Sequence, residues 1–377
     1  MSSIAQFLES HAEAIVHDIG EFVQRETPST DKPLLDAFAQ YLAAYAGEVS
    51  GGRAEVAASS VSGDNVVLHC DGEKGGKPVV MVGHFDTVWP AGTLETMPFS
   101  IEGHIARGPG IFDMKAGLVQ ALWAIRALKE TGTPHPPIVF VFNSDEEIGS
   151  AGSRALIERH ARDARAALVF EPSFEGALKT QRKGVGRYQI DITGRASHAG
   201  LNPKAGISAI DEMARVVLTL HGCTDMDTGT TVNVGVVQGG TRYNVVAAHA
   251  QADIDVRVVT KEEGARMDGF VRALKPRNPE ASFEIAGSML WPPMERNEAI
   301  KGLFAKASTV AKKHLDLVLQ EAAVGGASDG CTCAALGLPV LDGMGAVGAG
   351  AHAANEHIDL RFVSQRSALA AHLLSEL

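Results

Sequence analysis

The run Ile138-Val-Phe-Val-Phe142 contains no polar position. A strand of that composition must be covered on both faces, so it needs a layer of structure above and another below, and it favours a parallel arrangement. Comparable runs, Val79-Val-Met-Val82 and Leu168-Val169-Phe170, precede and follow it. Between them, residues 114–131 place Leu118, Leu122, Ile125 and Leu128 on one helical face, and residues 153–160 read as a shorter helix. Strands and helices in alternation predict an α/β fold with a mostly parallel central sheet. The same run carries a chemical constraint. Asn143-Ser-Asp-Glu-Glu-Ile-Gly-Ser150 follows it directly, so Glu146 and Glu147 stand side by side at a strand end. Adjacent carboxylates there repel and lose hydration unless positive charge compensates them.

Apolar spacing predicts further helices at 4–24, 32–47, 301–313 and 360–376, with short strands at Val66–Leu68 and Pro339–Leu341. From about Val185 the texture changes to alternation, in Tyr188–Gly194, Thr230–Gly235 and Ala250–Val258, which marks strands with one exposed face. Helices at 206–221 and 261–274 and a strand at 281–287 complete a β-α-β-β-α-β order. The expected division is a catalytic domain in two parts, 1–183 and 291–377, interrupted by a smaller α+β domain at 184–290.

A net charge of -11 over 377 residues, with no dense Lys/Arg block, argues against a nucleic-acid partner. Four scattered cysteines do not make a disulfide scaffold, and Cys331-Thr-Cys333 has no second pair with which to hold a metal. The start, Met1-Ser-Ser-Ile-Ala-Gln-Phe-Leu, lacks the pattern of a secretory leader, and no apolar run reaches membrane-spanning length. The expected location is the cytoplasm.

Candidate metal ligands recur where strands should end. His84-Phe85-Asp86 follows Val79–Val82, and period-two spacing sets His84 and Asp86 on one side, where Asp86 can support the other ring nitrogen of His84. Asp113 lies in Gly108-Pro-Gly-Ile-Phe-Asp-Met-Lys115 ahead of a helix, where it can cap the helix, bridge cations, or both. Glu171 precedes Pro172, and His352 sits in the Gly-rich stretch Gly350–His357. Open α/β sheets hold their sites beyond the carboxyl ends of strands. Histidines with carboxylates suit zinc, and the oxygen-rich share leaves manganese or cobalt open.

Gly83-His-Phe-Asp-Thr-Val88, Gly108–Lys115, Asp145-Glu-Glu-Ile-Gly149 and Gly194-Arg-Ala-Ser-His-Ala-Gly200, in that order, resemble the M20 metallopeptidases, nearest to their bacterial glutamate carboxypeptidase branch. The resemblance covers nearly the whole chain. It implies a di-zinc catalytic domain interrupted by a lid and dimerisation domain, hence a homodimer. It makes His84, Asp113 and Glu171 the ligands of one ion and Asp113, Glu147 and His352 those of the other. Asp113 then bridges, with a cis bond to Met114 expected. Asp86 orients His84, and Glu146 is the general base. In the insert the resemblance gives His198 an oxyanion-holding role at the facing subunit's site. It also makes Asn244, Arg257, Gly326 and Ser328 substrate contacts.

The function so implied is hydrolysis of an amide bond to release a free amino acid, such as a C-terminal glutamate, from a small peptide or N-acyl compound. An N-acyl-amino-acid deacylase of the same scaffold is the alternative, and a non-catalytic metal-binding protein is a further one. Arg182, Lys183 and Trp291 depart from the branch pattern and could redirect selectivity toward anionic or larger acyl groups.

Overall fold

The computed structural model describes residues 3–377; Met1 and Ser2, the first residues of the stretch read for a leader, lie outside it. The chain divides into two compact units, one of Arg182–Glu295 with Val324–Ala327 and the other of the remainder.

The larger unit is built on a six-stranded sheet ordered Arg53–Ala57, Asn65–Cys70, Ile138–Asn143, Val79–His84, Ala166–Val169, Val340–Leu341. Ile138–Asn143 and Val79–His84 are buried at every position. Alternation divides their side chains between two helical layers. Val79, Met81, Ile138, Phe140 and Phe142 join one large core with the helices Ser3–Ser10, Ala12–Val23, Lys32–Ser50, Ala116–Glu130 and Val363–Glu376. The intervening residues face the short helices Arg154–Ala161 and Asp329–Ala335. The helix expected at 4–24 is two helices that meet at His11. Lys32–Ser50 starts at Asp31, which accepts a hydrogen bond from the Leu34 amide, and ends at Gly51 in the left-handed region (φ 71°).

The sheet is mostly parallel, as expected, with one strand, Asn65–Cys70, running against the others. Ile138–Asn143, Val79–His84, Ala166–Val169 and Val340–Leu341 run parallel, whereas Arg53–Ala57 and Asn65–Cys70 pair antiparallel. The parallel group is the part that matters for the site, because it brings the carboxyl ends of three adjacent strands to one edge. A small four-stranded sheet, Gly348–Ala349, His357–Asp359, Ile105–Arg107 and Ser100–Glu102, was not expected from the sequence. Its strands are too short to show a period.

The smaller unit has one four-stranded antiparallel sheet in the order Thr231–Gly239, His249–Val258, Gly184–Thr193, Ser282–Trp291. Ala209–His221 and Lys261–Arg272 cover one face, burying Met213, Leu220 and Met267 against Ile190, Ile192, Ile254 and Val256. His249–Val258 alternates in burial as a half-covered strand should.

Candidate metal centre

His84 is the last residue of its strand, and Asn143 pairs with it in register on the neighbour. The turn carrying Glu146 and Glu147 therefore starts beside His84, and Glu171 follows the parallel strand on the other side. Asp113 enters from the irregular turn Ile111–Lys115 ahead of the helix Ala116–Glu130. Its carboxylate does not cap that helix; it is spent on the two histidines.

Those contacts form one chain of donors and acceptors. His84 Nε2 lies 3.1 Å from Asp113 Oδ1 and 3.4 Å from Glu171 Oε1. His352 Nε2 lies 3.4 Å from Asp113 Oδ2 and 3.0 Å from Glu147 Oε1. Asp113 thus turns one oxygen to each imidazole, and its peptide bond to Met114 is cis. His352 is presented from a loop, with its backbone in the left-handed region (φ 61°) that few residues other than glycine adopt. Two clusters have ligand atoms mutually within 4.8 Å: His84 with Glu146 and Glu171, and His84 with Asp113 and Glu147.

Asp86, fully buried, organises this edge. Its Oδ1 accepts the Glu146 amide at 3.1 Å and its Oδ2 the Glu147 amide at 3.3 Å and the Ser29 hydroxyl at 2.7 Å. His84 Nδ1 lies 3.0 Å from the Asp86 carbonyl oxygen and 3.4 Å from Oδ1. A carbonyl can only accept, so Nδ1 carries a proton and Nε2 is the atom offered to the cluster.

The electrostatics are those of crowded acids. Burial, reinforced by the charge of Glu171, holds the Glu146 carboxyl well above the usual range. Burial also raises Glu147, against the hydrogen bond from His352. At Asp113 burial pushes upward too, but hydrogen bonds from His352 and His84 prevail and hold it low. Bonding to Asp113 and then Glu147 lifts His352 to about 10. Four carboxylates crowded around two imidazoles suit cations. An ion in place of each Nε2 proton would satisfy the same oxygens, so the residues present fit a two-cation centre.

Sequence reasoning missed several buried groups that hold this edge in shape. Glu356 accepts four hydrogen bonds around the Asp113 turn. Asp329 accepts from Ser150 at 2.6 Å and Asn143 at 2.8 Å, and burial raises it to about 6. Asp145 accepts from Gly152 and the Ser153 hydroxyl, closing the loop after the acidic pair. Glu356 lies in the stretch quoted above for His352, and Asp329 directly follows Ser328. For Asp329, an acid between the small residues Ser328 and Gly330 was the available signal; Glu356, between Asn355 and His357, carried none.

The remaining expected residues fall elsewhere. Ser328 is buried, with its hydroxyl donated to Asp342 and accepting from the Gly330 amide, so its side chain is not offered to a substrate. In the smaller unit, His198 and Asn244 lie together, the Ala199 amide donating to the Asn244 carbonyl. His198 Nδ1 accepts from the amides of Gly200 and Leu201, which leaves the proton on an exposed Nε2. Arg257 makes a fork-to-fork pair with Asp255 and also reaches the Gly325 carbonyl. Arg182 is buried and donates to the carbonyls of Gly326 and Ala327, Lys183 donates to Gly229, and Trp291 is 5% exposed.

The fold and donor set define a metal-dependent hydrolase. Residues 80–376 match the model of peptidase family M20/M25/M40, and the chain belongs to that family. It is 34% identical over 326 residues to Carboxypeptidase G2 of Pseudomonas sp. (strain RS-16), covering 85% of this chain and 78% of the relative. Among solved structures, aminopeptidase PepT from Bacillus cereus superposes with a TM-score of 0.81 at 22% identity, covering 97% of this chain and 98% of that one. A tripeptidase from Staphylococcus aureus does so at 0.81 and 20%, with the same coverage of 97% and 98%. At that identity the likeness shows the fold. Among the described residues no helix is long and apolar enough to cross a membrane.

Proposed function

We propose that the chain is a di-zinc carboxypeptidase-type amidohydrolase that releases glutamate or a similar amino acid from small peptides or N-acyl amino acids. The observation that carries the chemistry is the difference between the two adjacent acids. Glu147 is paired with His352 at 3.0 Å, whereas the Glu146 carboxylate makes no hydrogen bond among the described residues. One acid is committed to a ligand position and the other is spare. His84, Asp113 and Glu171 would hold one ion; Asp113, Glu147 and His352 would hold the other. When bound, such ions polarise the scissile carbonyl and acidify the attacking water.

The rest is the work of side chains. Glu146, raised by burial and by the charge of Glu171, takes the proton of the attacking water and returns it to the leaving nitrogen. Asp86 fixes the backbone under both acids, so base and ligand keep their separation. His198, with its proton on Nε2, is suited to donate to a developing oxyanion. The 34% identity to a carboxypeptidase supports the substrate class. Arg257 would meet a substrate carboxylate with the edge that Asp255 leaves open.

The smaller unit also supports a homodimer. Thr231–Gly239 is an edge strand with Val236 and Val237 exposed, and the adjoining helix exposes Ile210 and Leu218. Open edge strands flanked by apolar side chains invite pairing.

Glu146→Gln tests the mechanism: zinc content should stay at the wild-type level while kcat falls about 10²–10⁴-fold. Wild-type turnover in that variant overturns the assignment of the base. A screen of N-acyl amino acids and dipeptides tests the substrate, since equal release of neutral and acidic residues would contradict the proposed preference.

A further inference from the structure

Glu356 is fully buried, and its carboxylate is saturated by donors from two different segments. Oε1 accepts the amides of Phe112 at 2.9 Å and Asp113 at 3.0 Å. Oε2 accepts the Gly110 amide at 2.9 Å and the Trp89 indole at 2.8 Å. Three backbone N–H groups of one turn converge on a single anion, a nest whose shape depends on that anion. Gly110 supplies the left-handed residue (φ 70°) that such a turn requires.

We infer that Glu356 is a positioning residue for the metal centre, acting through the Asp113 turn and the His352 loop together. The first link is covalent proximity: the amide held by Oε1 belongs to Asp113 itself, whose two side-chain oxygens face His84 and His352. The second link is the loop on which Glu356 stands. The Ala353 amide donates to Gly350 and the Glu356 amide to Ala353, so His352 and Glu356 belong to one tight double turn. A single carboxylate therefore ties the bridging acid to the loop that presents the more exposed histidine. Trp89 adds a third tie, from the segment just after Asp86.

The chemistry of the side chain makes this specific. All four partners are donors, so the group must accept at both oxygens. Glutamine keeps the size but turns an NH₂ toward two N–H groups. It should open the turn on one side, and Asp113 can then no longer address both imidazoles at once.

This inference rests on the two-cation reading above, and the test separates the two. The full-length protein is stripped with chelator and titrated with Co²⁺, following the visible absorption of the bound ion. Far-UV circular dichroism and thermal unfolding of the apoprotein serve as folding controls. If the wild-type chain takes up no Co²⁺, the two-cation reading fails. If it takes up two equivalents, Glu356→Gln should bind at least one of them ten-fold or more weakly, with a changed absorption band and an apoprotein that still folds. Binding within two-fold of wild type and an unchanged band would overturn the inference. Should Glu356→Gln not fold, Trp89→Phe removes one donor and leaves the three amides; a two- to five-fold weakening with a shifted band is expected, and no change would overturn it.

Discussion

Gly117 sets two effects of known size against each other. It is the second residue of the helix Ala116–Glu130, and alanine there would improve helix propensity by at most about 1 kcal/mol. Sterics point the other way. A Cβ at Gly117 would stand 2.1 Å from the Phe170 carbonyl oxygen and 3.4 Å from Gly345 Cα. Real Cβ atoms essentially never approach a neighbour closer than 3.0 Å, so helix and strand end must separate by about 0.9 Å, and both neighbours are backbone. Overpacking of this kind costs typically about 1–3 kcal/mol, sometimes more. The expected net effect of Gly117→Ala is a loss of about 1–2 kcal/mol after the propensity gain. Because Phe170 immediately precedes Glu171, the displacement also moves a proposed metal ligand, so zinc per chain should fall. Gly302 is the control: it is an exposed position within the helix Glu298–Leu315 with nothing within 4 Å of an added Cβ. Gly302→Ala should gain about 0.5–1 kcal/mol. Urea unfolding followed by tryptophan fluorescence, with zinc measured by mass spectrometry, reads both. A Gly117→Ala midpoint at or above wild type, with full zinc, would refute the steric argument.

Three further outcomes follow from buried groups and exposed edges. Arg366 is 2% exposed and donates to the carbonyls of Gly343, Gly345 and Gly176, while Gly345 in turn donates to the Glu171 carbonyl. Arg366→Met should cost about 2–5 kcal/mol in urea unfolding and lower zinc occupancy, and a neutral result on both would show that the loop holds its shape unaided. His372 is lowered to about 4 by burial, then by His314 stacked at 4.1 Å. With the folded value below the unfolded one, the unfolded chain takes the proton first. The contribution is therefore full above about pH 6.5 and is lost as pH falls toward 4. Wild type should lose about 1–2 kcal/mol more than His372→Asn between pH 7 and pH 5, and parallel losses would contradict this. Leu218→Glu, at a position 76% exposed, should shift the proposed dimer toward monomer in sedimentation, with zinc unchanged.

What the sequence revealed, and what it hid, has a physical basis. Glu146, Glu147 and Glu171 stood out as candidates because each lies just beyond an all-apolar run, although Asp145 in the same stretch instead closes the loop through Gly152 and Ser153. Strand direction was partly available. Residues 71–78 are too few for the crossover that a parallel pair needs, so Asn65–Cys70 and Val79–His84 had to run opposite ways. The apolar content of both strands hid this, because burial on two faces looks the same in either direction. Glu356 and Arg366 were hidden for a different reason. Apart from the Trp89 indole, their partners are amides and carbonyls, which nearly every residue carries, so almost no residue pairing in the sequence marks them. Groups that bind metal or substrate must bring unusual side chains together, and that leaves a trace in the sequence. Groups that shape a backbone turn need only one charged residue and a fold that curls main-chain dipoles around it. The metal centre therefore has a part legible as side-chain chemistry and a supporting part that only the fold assembles. It follows that substitutions in the supporting part should alter metal affinity while every expected ligand is still present.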